Sequence, residues 1–182
     1  MRSGTDRWVE GLRAGEHAAL EAVYAALRSR IFSYLCRLGC PRETAEDLVQ
    51  EAFLRLSERA PDLRPDTRVD AWLFTVARNL LVSWWRRRGR SMEVLTDTES
   101  PAADPLSPFE HAVASETGRR LERALAGLAP GLRDAVLLVA VEGFDVADAA
   151  AICGLRPEAL RQRLHRGREA LARALARPKE AA

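Results

Sequence analysis

Two adjacent tryptophans, Trp84 and Trp85, stand directly before a run of arginines, Arg86–Arg88. An indole can stack on the face of an unpaired nucleobase, while neighbouring arginines hold the phosphates. On a helical wheel, Trp84 falls on the inward, apolar face and Trp85 falls on the outward face. We therefore predict that Trp84 lies in the core and that Trp85 is exposed, with packing of Trp85 beneath another segment as the alternative. The candidate single-strand-binding residues are Arg78, Asn79, Trp85, Arg86, Arg87 and Arg88.

A second group of polar residues lies near the C-terminus, on a helix predicted over 157–176. Its apolar face carries Leu160 and Leu164, and a short helix and a turn at Gly154 precede it. This arrangement is typical of a helix-turn-helix, whose second helix enters the major groove and contacts base edges. A basic amphipathic helix alone more often forms a solvated surface, but the preceding helix and turn favour DNA binding. The candidate DNA contacts are Arg156, Glu158, Arg161, Gln162, His165, Arg166 and Arg173.

A third group lies on the helix predicted from Pro41 to about Glu58. Apolar residues recur with helical spacing and form its buried stripe: Ala45, Leu48, Val49, Ala52 and Leu56. The opposite face is acidic and amide-bearing, with one apolar residue: Asp47, Gln50, Glu51 and Leu54. From the residues alone, this face is equally compatible with a solvated surface and with a docking surface for a protein partner.

The sequence offers no set of residues for an enzyme. It contains no nucleophile with a matching base, no phosphate-binding glycine loop and no metal-ligand spacing, so we predict no catalytic residue, metal or cofactor. Cys36 and Cys40 are four residues apart, but no histidine lies near them. With Cys153, they are best interpreted as structural thiols in a reducing compartment.

The elements that position these residues are predicted to be helices throughout, because no stretch alternates with period two. The expected fold is all-α, with two small helical domains, a bundle at 1–90 and a helix-turn-helix domain at 113–182, joined by a flexible acidic linker at 91–112. The predicted helices span about 16–38, 41–58, 69–88, 109–127, 130–142, 145–153 and 157–176.

Charge is distributed unevenly along a chain whose net charge is only +2. The segment 91–118 contains six acidic residues and no lysine or arginine, whereas arginines cluster on both sides of it. No apolar run approaches the roughly 20 residues of a membrane helix. We therefore expect a cytoplasmic protein without membrane insertion.

Two stretches resemble a known family in the order and spacing that the family requires. AEDLVQEAFLRL followed by DAWLFTVARNLLVSWWRRRGR resembles region 2 of bacterial sigma factors of the extracytoplasmic-function class. The later stretch ALAGLAPGLRDAVLLVAVEGFDVADAAAICGLRPEALRQRLHRGREAL resembles their region 4. The resemblance covers about 15–90 and 119–175, which is most of the chain.

The resemblance implies an alternative sigma factor that binds core RNA polymerase and directs initiation at promoter DNA. Asp47, Gln50, Glu51 and Leu54 would dock on the clamp helices of the beta-prime subunit. The end of the third helix would recognise and help open the −10 element, while the loop residues Asp62, Leu63 and Arg64 would accept a flipped base. The C-terminal helix would recognise the −35 element while its domain rests on the beta flap. An anti-sigma factor is a further partner that the resemblance implies.

Some residues depart from the family pattern. Ser83 stands where the family commonly has Asp, and Arg156–Ala159 replaces the usual start of the recognition helix. The promoter sequence therefore cannot be transferred from relatives. The alternative function is a DNA-binding regulator that acts without polymerase, but it leaves the 47–54 face and the acidic linker without a role.

Overall fold

The computed structural model describes residues 5–89 and 115–176. Within these ranges the chain forms eight α-helices and no strand, which confirms the all-α prediction. The N-terminal half contains α1 (Thr5–Arg13), α2 (His17–Arg37), α3 (Arg42–Arg59) and α4 (Val69–Arg87), with a short 3-10 turn at Ala60–Asp62. The C-terminal half contains α5 (Glu116–Ala126), α6 (Pro130–Val136), α7 (Val146–Cys153) and α8 (Pro157–Ala176).

Helices α2, α3 and α4 form the body of the N-terminal half. Gly39, with φ +93°, separates α2 from α3 in a backbone conformation that L-residues rarely adopt. The apolar stripe predicted on α3 is buried at every position. Helix α1, which the sequence analysis did not predict, covers α2 with Val9 and Leu12 buried.

The C-terminal half is built around the predicted helix-turn-helix. The side chain of Asp145 caps α7 by accepting a 2.8 Å hydrogen bond from the backbone N–H of Asp148. Gly154 ends α7 at φ +67° and forms the turn into α8. At Gly167, an added Cβ would lie 2.7 Å from Val136 Cγ2, so glycine allows α8 to approach α6 closely. Helix α6 continues through Leu137–Val141 as a π-helical turn.

The two halves are in contact through α4 and the segment between α6 and α7. The rings of Phe74 and Phe144 lie 5.1 Å apart edge to face, and both side chains are buried. Helix α7 also packs on α4. The predicted linker 91–112 lies outside the described residues, and the domain boundaries at 1–90 and 113–182 remain predictions.

Candidate nucleic-acid and partner interfaces

The two tryptophans of α4 do not lie where the helical wheel placed them, because Trp85 is the more deeply buried of the two. Trp85 is buried at 5% exposure, whereas Trp84 is half-buried with the Arg88 guanidinium 4.2 Å from its ring centroid. The predicted exposure of Trp85 was therefore wrong. The buried stripe of α4 follows every fourth residue through Leu73, Ala77 and Leu81 to Trp85, and this stripe rotates slowly around the helix.

Arg78 also differs from its prediction as an outward-facing residue, because it is buried between the two halves. Its Nε donates a 2.7 Å hydrogen bond to Oδ2 of Asp134, which lies on α6 and is fully buried. Burial alone would lower the pKa of the Arg78 guanidinium, but the Asp134 carboxylate raises it, and the net direction is upward. A helical wheel assumes that a helix packs on one neighbour. It failed for Arg78 because α4 packs against both halves.

The remaining polar residues at the end of α4 are accessible. Asn79 and Arg86–Arg88 are exposed. In the loop before α4, Asp62 and Arg64 are exposed, but Leu63 is buried in the core at 7% exposure. Arg64 donates a 3.0 Å hydrogen bond to Asp66, which raises the pKa of the arginine.

The predicted partner face on α3 is present as a surface. Asp47 and Gln50 are exposed, and Leu54 is 61% exposed, the largest exposed fraction among the large apolar side chains of the described residues. Glu51 is half-buried and accepts a 2.8 Å hydrogen bond from Arg55 one turn later. An apolar side chain with a polar rim is compatible with a docking surface.

Helix α8 presents its polar face to solvent as predicted. All seven of its candidate DNA contacts are exposed: Arg156, Glu158, Arg161, Gln162, His165, Arg166 and Arg173. Leu160, Leu164 and Gly167 are buried on the opposite face. Near the start of the helix, the carboxylate of Glu158 forms an ion pair with Arg161 at 3.4 Å. Ala174 and Leu175 are exposed near the helix end.

Sequence reasoning missed the polar residues that join the two halves. Tyr34 donates a 2.6 Å hydrogen bond to Oδ1 of Asp134, the same carboxylate that accepts from Arg78. Burial, followed by the Asp134 charge, raises the pKa of the Tyr34 hydroxyl well above its ordinary value. No local pattern identifies such a contact, because its partners are 100 and 56 residues apart in sequence.

The described part of the chain contains neither a candidate metal site nor a helix that could cross a membrane. Among the described residues, no cluster of three or more histidine, cysteine or acidic side chains could hold a metal ion. No helix in the same ranges combines the length and apolarity needed to cross a bilayer.

Both halves match known sequence families. The sigma-70 region 2 family matches residues 23–91, and the sigma-70 region 4 family matches residues 118–171. The chain belongs to the sigma-70 family. These two matches place the exposed α3 face and the end of α4 in region 2, and the exposed polar face of α8 in region 4.

Relatives place this sigma factor in the extracytoplasmic-function (ECF) class. It is 34% identical over 163 residues to ECF sigma factor SigE of Mycolicibacterium smegmatis, covering 86% of this chain but only 63% of the relative. It is 36% identical over 129 residues to EcfG of Rhodopseudomonas palustris, covering 71% of this chain and 70% of that one. It shares 33% identity over 163 residues with CarQ of Myxococcus xanthus, and this match covers 90% of this chain and 92% of CarQ.

Solved structures agree with this placement. The sigma factor RpoE of Bartonella quintana, in complex with the anti-sigma factor NepR, superposes with a TM-score of 0.66 at 27% identity, covering 85% of this chain and 95% of that one. CnrH, in complex with the cytosolic domain of CnrY, shares the fold with a TM-score of 0.68 at 23% identity. The superposition covers 94% of this chain and 96% of CnrH. The chain is accordingly an alternative sigma factor that directs transcription with RNA polymerase, and a regulator acting without polymerase is not favoured.

Proposed function

We propose that this sigma factor docks on core polymerase through α3 and recognises its promoter with α4 and α8. The single observation that supports this division is the separation of two exposed faces. One carries Gln50 and Leu54 on the region 2 half, and the other carries Gln162 and Arg166 on the region 4 half. Polymerase performs the chemistry, so no residue of this chain is assigned a catalytic role.

In the proposed −35 complex, α8 lies in the major groove with Gln162 and Arg166 toward the base edges. Arginine bonds guanine O6 and N7, and glutamine bonds adenine N6 and N7; a bidentate pair discriminates between bases by roughly 1–3 kcal/mol. Glu158 is exposed at the helix start and can accept from a cytosine amino group. Arg156 and Arg173, at opposite ends of the exposed face, are assigned to phosphates.

In the proposed −10 complex, the end of α4 binds the non-template strand. Arg86–Arg88 supply the positive charge for its phosphates, and Asn79 can contact a base edge. The half-buried Trp84, not the buried Trp85, is the indole available for stacking. Unstacking a base costs a few kcal/mol, which such contacts must offset. Asp62 and Arg64 flank the candidate site for a flipped base, with Leu63 supporting them from the core.

The face on α3 would dock on the clamp helices of the beta-prime subunit, with Leu54 as its apolar anchor. The region 4 half would rest on the beta flap. Because RpoE of Bartonella quintana was solved in complex with the anti-sigma factor NepR, we also propose an anti-sigma partner for this chain. The sigma factor would act in the cytoplasm, where polymerase and promoters are found.

The proposed function is tested by in vitro transcription from genomic fragments, using core polymerase with and without this protein. We expect discrete new start sites that share upstream −35 and −10 sequences. Absence of initiation, together with tight duplex binding by the free protein, would instead identify a regulator that acts without polymerase.

Arg166→Ala is expected to reduce −35-dependent transcription while leaving affinity for core polymerase unchanged. Removing the guanidinium deletes one direct contact, and a loss of roughly 1–3 kcal/mol lowers promoter affinity by about 5- to 150-fold. Promoter binding by the reconstituted holoenzyme measures this loss. Arg13→Ala, which removes an exposed arginine of α1 outside both proposed interfaces, is the matched control; an equal loss in both variants would contradict the assignment.

Gln50→Ala combined with Leu54→Ala is expected to lower the affinity for core polymerase while leaving recognition of the −35 element unchanged. The pair removes the exposed apolar anchor and an adjacent amide, so we expect core affinity to fall roughly 10-fold or more, as for a central interface residue. Fluorescence titration of labelled protein with core polymerase measures it. Because both side chains project from the surface, the free energy of unfolding is expected to stay within about 0.5 kcal/mol of the parent value. Unaltered core affinity would remove the α3 face from the docking assignment.

A further inference from the structure

Helix α1 packs on three elements of the N-terminal half at once: α2, the 3-10 turn at Ala60–Asp62, and α4. Its residues, Thr5–Arg13, precede the range 23–91 that matches the region 2 family, so that match assigns them no role. Val9 and Leu12 are buried, at 1% and 3% exposure. The inner side of α1 therefore belongs to the core beside the 3-10 turn.

The 3-10 turn leads into the flipped-base loop, which consists of the proposed base-accepting residues Asp62, Leu63 and Arg64. Ala60 and Leu63 are buried in the same core as the inner side of α1. Asp62 and Arg64 are exposed on either side of Leu63. The direction of these two exposed side chains therefore depends on how Ala60 and Leu63 are seated against the core.

The backbone hydrogen bonds of Leu63 and Thr67 shape this loop locally. The N–H of Leu63 donates to the carbonyl of Ala60 at 3.3 Å, and the N–H of Thr67 donates to the carbonyl of Arg64 at 3.0 Å. In each bond the acceptor lies three residues before the donor, so these bonds form turns but do not attach the loop to a helix. Packing of Ala60 and Leu63 on the core supplies that attachment, and α1 contributes to it by contacting the turn.

The position of α1 is set by a close approach to α2 at Gly11. A Cβ added to this buried glycine would lie 2.7 Å from the Cβ of Ala19 and 2.9 Å from Oε2 of Glu16. Carbon atoms in contact lie about 3.5–4.0 Å apart, so a methyl group at position 11 must displace α1 from α2. Because α1 also contacts the 3-10 turn, that displacement loosens the support behind Ala60 and Leu63.

We propose that α1 is a positioning element for promoter opening, which holds the flipped-base loop in the geometry that captures the base. The inference rests on the proposed function, since it takes this loop as the site of the flipped base. Unstacking a base costs free energy that the loop must offset. A loop ordered by folding offsets more of this cost than a loop that becomes ordered only on binding. Helix α1 itself would not touch the DNA.

The alternative is that α1 contributes only to the stability of the fold. Val9 and Leu12 bury apolar surface, so a change in α1 would then reduce the amount of folded protein and weaken binding to every promoter DNA alike. The two roles differ in one measurable property. If α1 positions the loop, the effect of an α1 variant depends on whether the flipped base is present.

The test measures how much a missing base costs the parent and an α1 variant. A promoter identified by the transcription experiment is made as a fork junction with a single-stranded non-template −10 element, either intact or with one abasic site. Fluorescence titration gives the Kd of the holoenzyme for each DNA, and the ratio of the two values is the abasic penalty. An abasic scan locates the flipped position, where we expect a parent penalty of about fivefold or more that Asp62→Ala with Arg64→Ala removes.

Gly11→Ala is the α1 variant, and we expect it to reduce the abasic penalty at that position by about threefold or more. Gly11→Ala with Ala19→Gly removes the Cβ that the new methyl group would meet, and it should restore the parent penalty. Leu48→Ala is the control for lost stability. It deletes a buried leucine about three helical turns before the end of α3 and should leave the penalty unchanged.

Hydrogen exchange of the free chain tests the positioning without polymerase. We expect the backbone amides of Leu63 and Thr67 to exchange about tenfold or more faster in Gly11→Ala than in the parent, with the amides in the middle of α3 unchanged. Equal acceleration in the loop and in α3 would show that α1 is only structural. If Gly11→Ala does not fold, Val9→Ala, which removes two buried methyl groups, replaces it in both measurements.

An abasic penalty that is the same in the parent and in Gly11→Ala would overturn the inference. So would a parent holoenzyme without an abasic penalty at any −10 position, whereas new start sites in the transcription experiment would still support the proposed function. If the parent does not bind core polymerase, the proposed function fails, while the exchange rates of the loop amides still decide whether α1 holds the loop.

Discussion

Trp85→Ala is expected to destabilise the N-terminal half by about 3–5 kcal/mol, the usual cost of replacing a buried tryptophan with alanine. Trp85 is 5% exposed and belongs to the same core as Leu81 and Ala77, so truncation leaves a cavity in that core. Urea unfolding followed by circular dichroism measures the loss as a lower midpoint with an unchanged slope.

Trp84→Ala is the matched control, because it removes the same side chain one residue earlier on α4. It deletes a half-buried indole and its contact with Arg88, which contributes about 0.5–1 kcal/mol when exposed. The loss of stability should therefore be clearly smaller than for Trp85. A larger loss for Trp84 than for Trp85 would restore the assignment made from the helical wheel.

Much of the fold was predictable from the sequence because single helices carry their own signals. The buried stripe of α3 and the polar face of α8 follow from periodicity alone, and the turn at Gly154 follows from glycine's access to positive φ. Helix α1 was missed because its nine residues, Thr5–Arg13, contain few apolar positions, two of which, Val9 and Leu12, are buried.

The environment of α4 was not predictable by the same reasoning. A wheel divides a helix into one buried and one exposed side, and this division holds when the helix packs on one neighbour. Helix α4 packs on α3 and also on α7, so residues assigned to solvent meet the C-terminal half instead. Arg78 is an example. Its neighbours in sequence predict a charged residue on the surface, but an ion pair with Asp134, which is distant in sequence, makes its burial favourable.

Asp134→Leu is expected to cost about 3–5 kcal/mol of coupling between the halves, because it leaves the buried Arg78 guanidinium and Tyr34 hydroxyl without their shared acceptor. The loss should appear as a split of one cooperative unfolding transition into two, measured by urea unfolding. Asp148→Leu is the control: Asp148 also pairs across the contact, but its partner Arg68 is 45% exposed, so we expect a loss of about 1 kcal/mol or less.

The double variant Asp134→Leu with Arg78→Leu identifies the cause of that loss. Replacing both members of a buried ion pair by apolar groups is often close to neutral, since neither desolvated charge remains. We therefore expect the double variant to be more stable than Asp134→Leu alone, with an interaction energy of about 1–3 kcal/mol in the cycle. If the losses of stability in the two single variants simply add in the double variant, the two side chains act independently. The unpaired charge of Arg78 would then not be the reason that Asp134→Leu destabilises the contact between the halves.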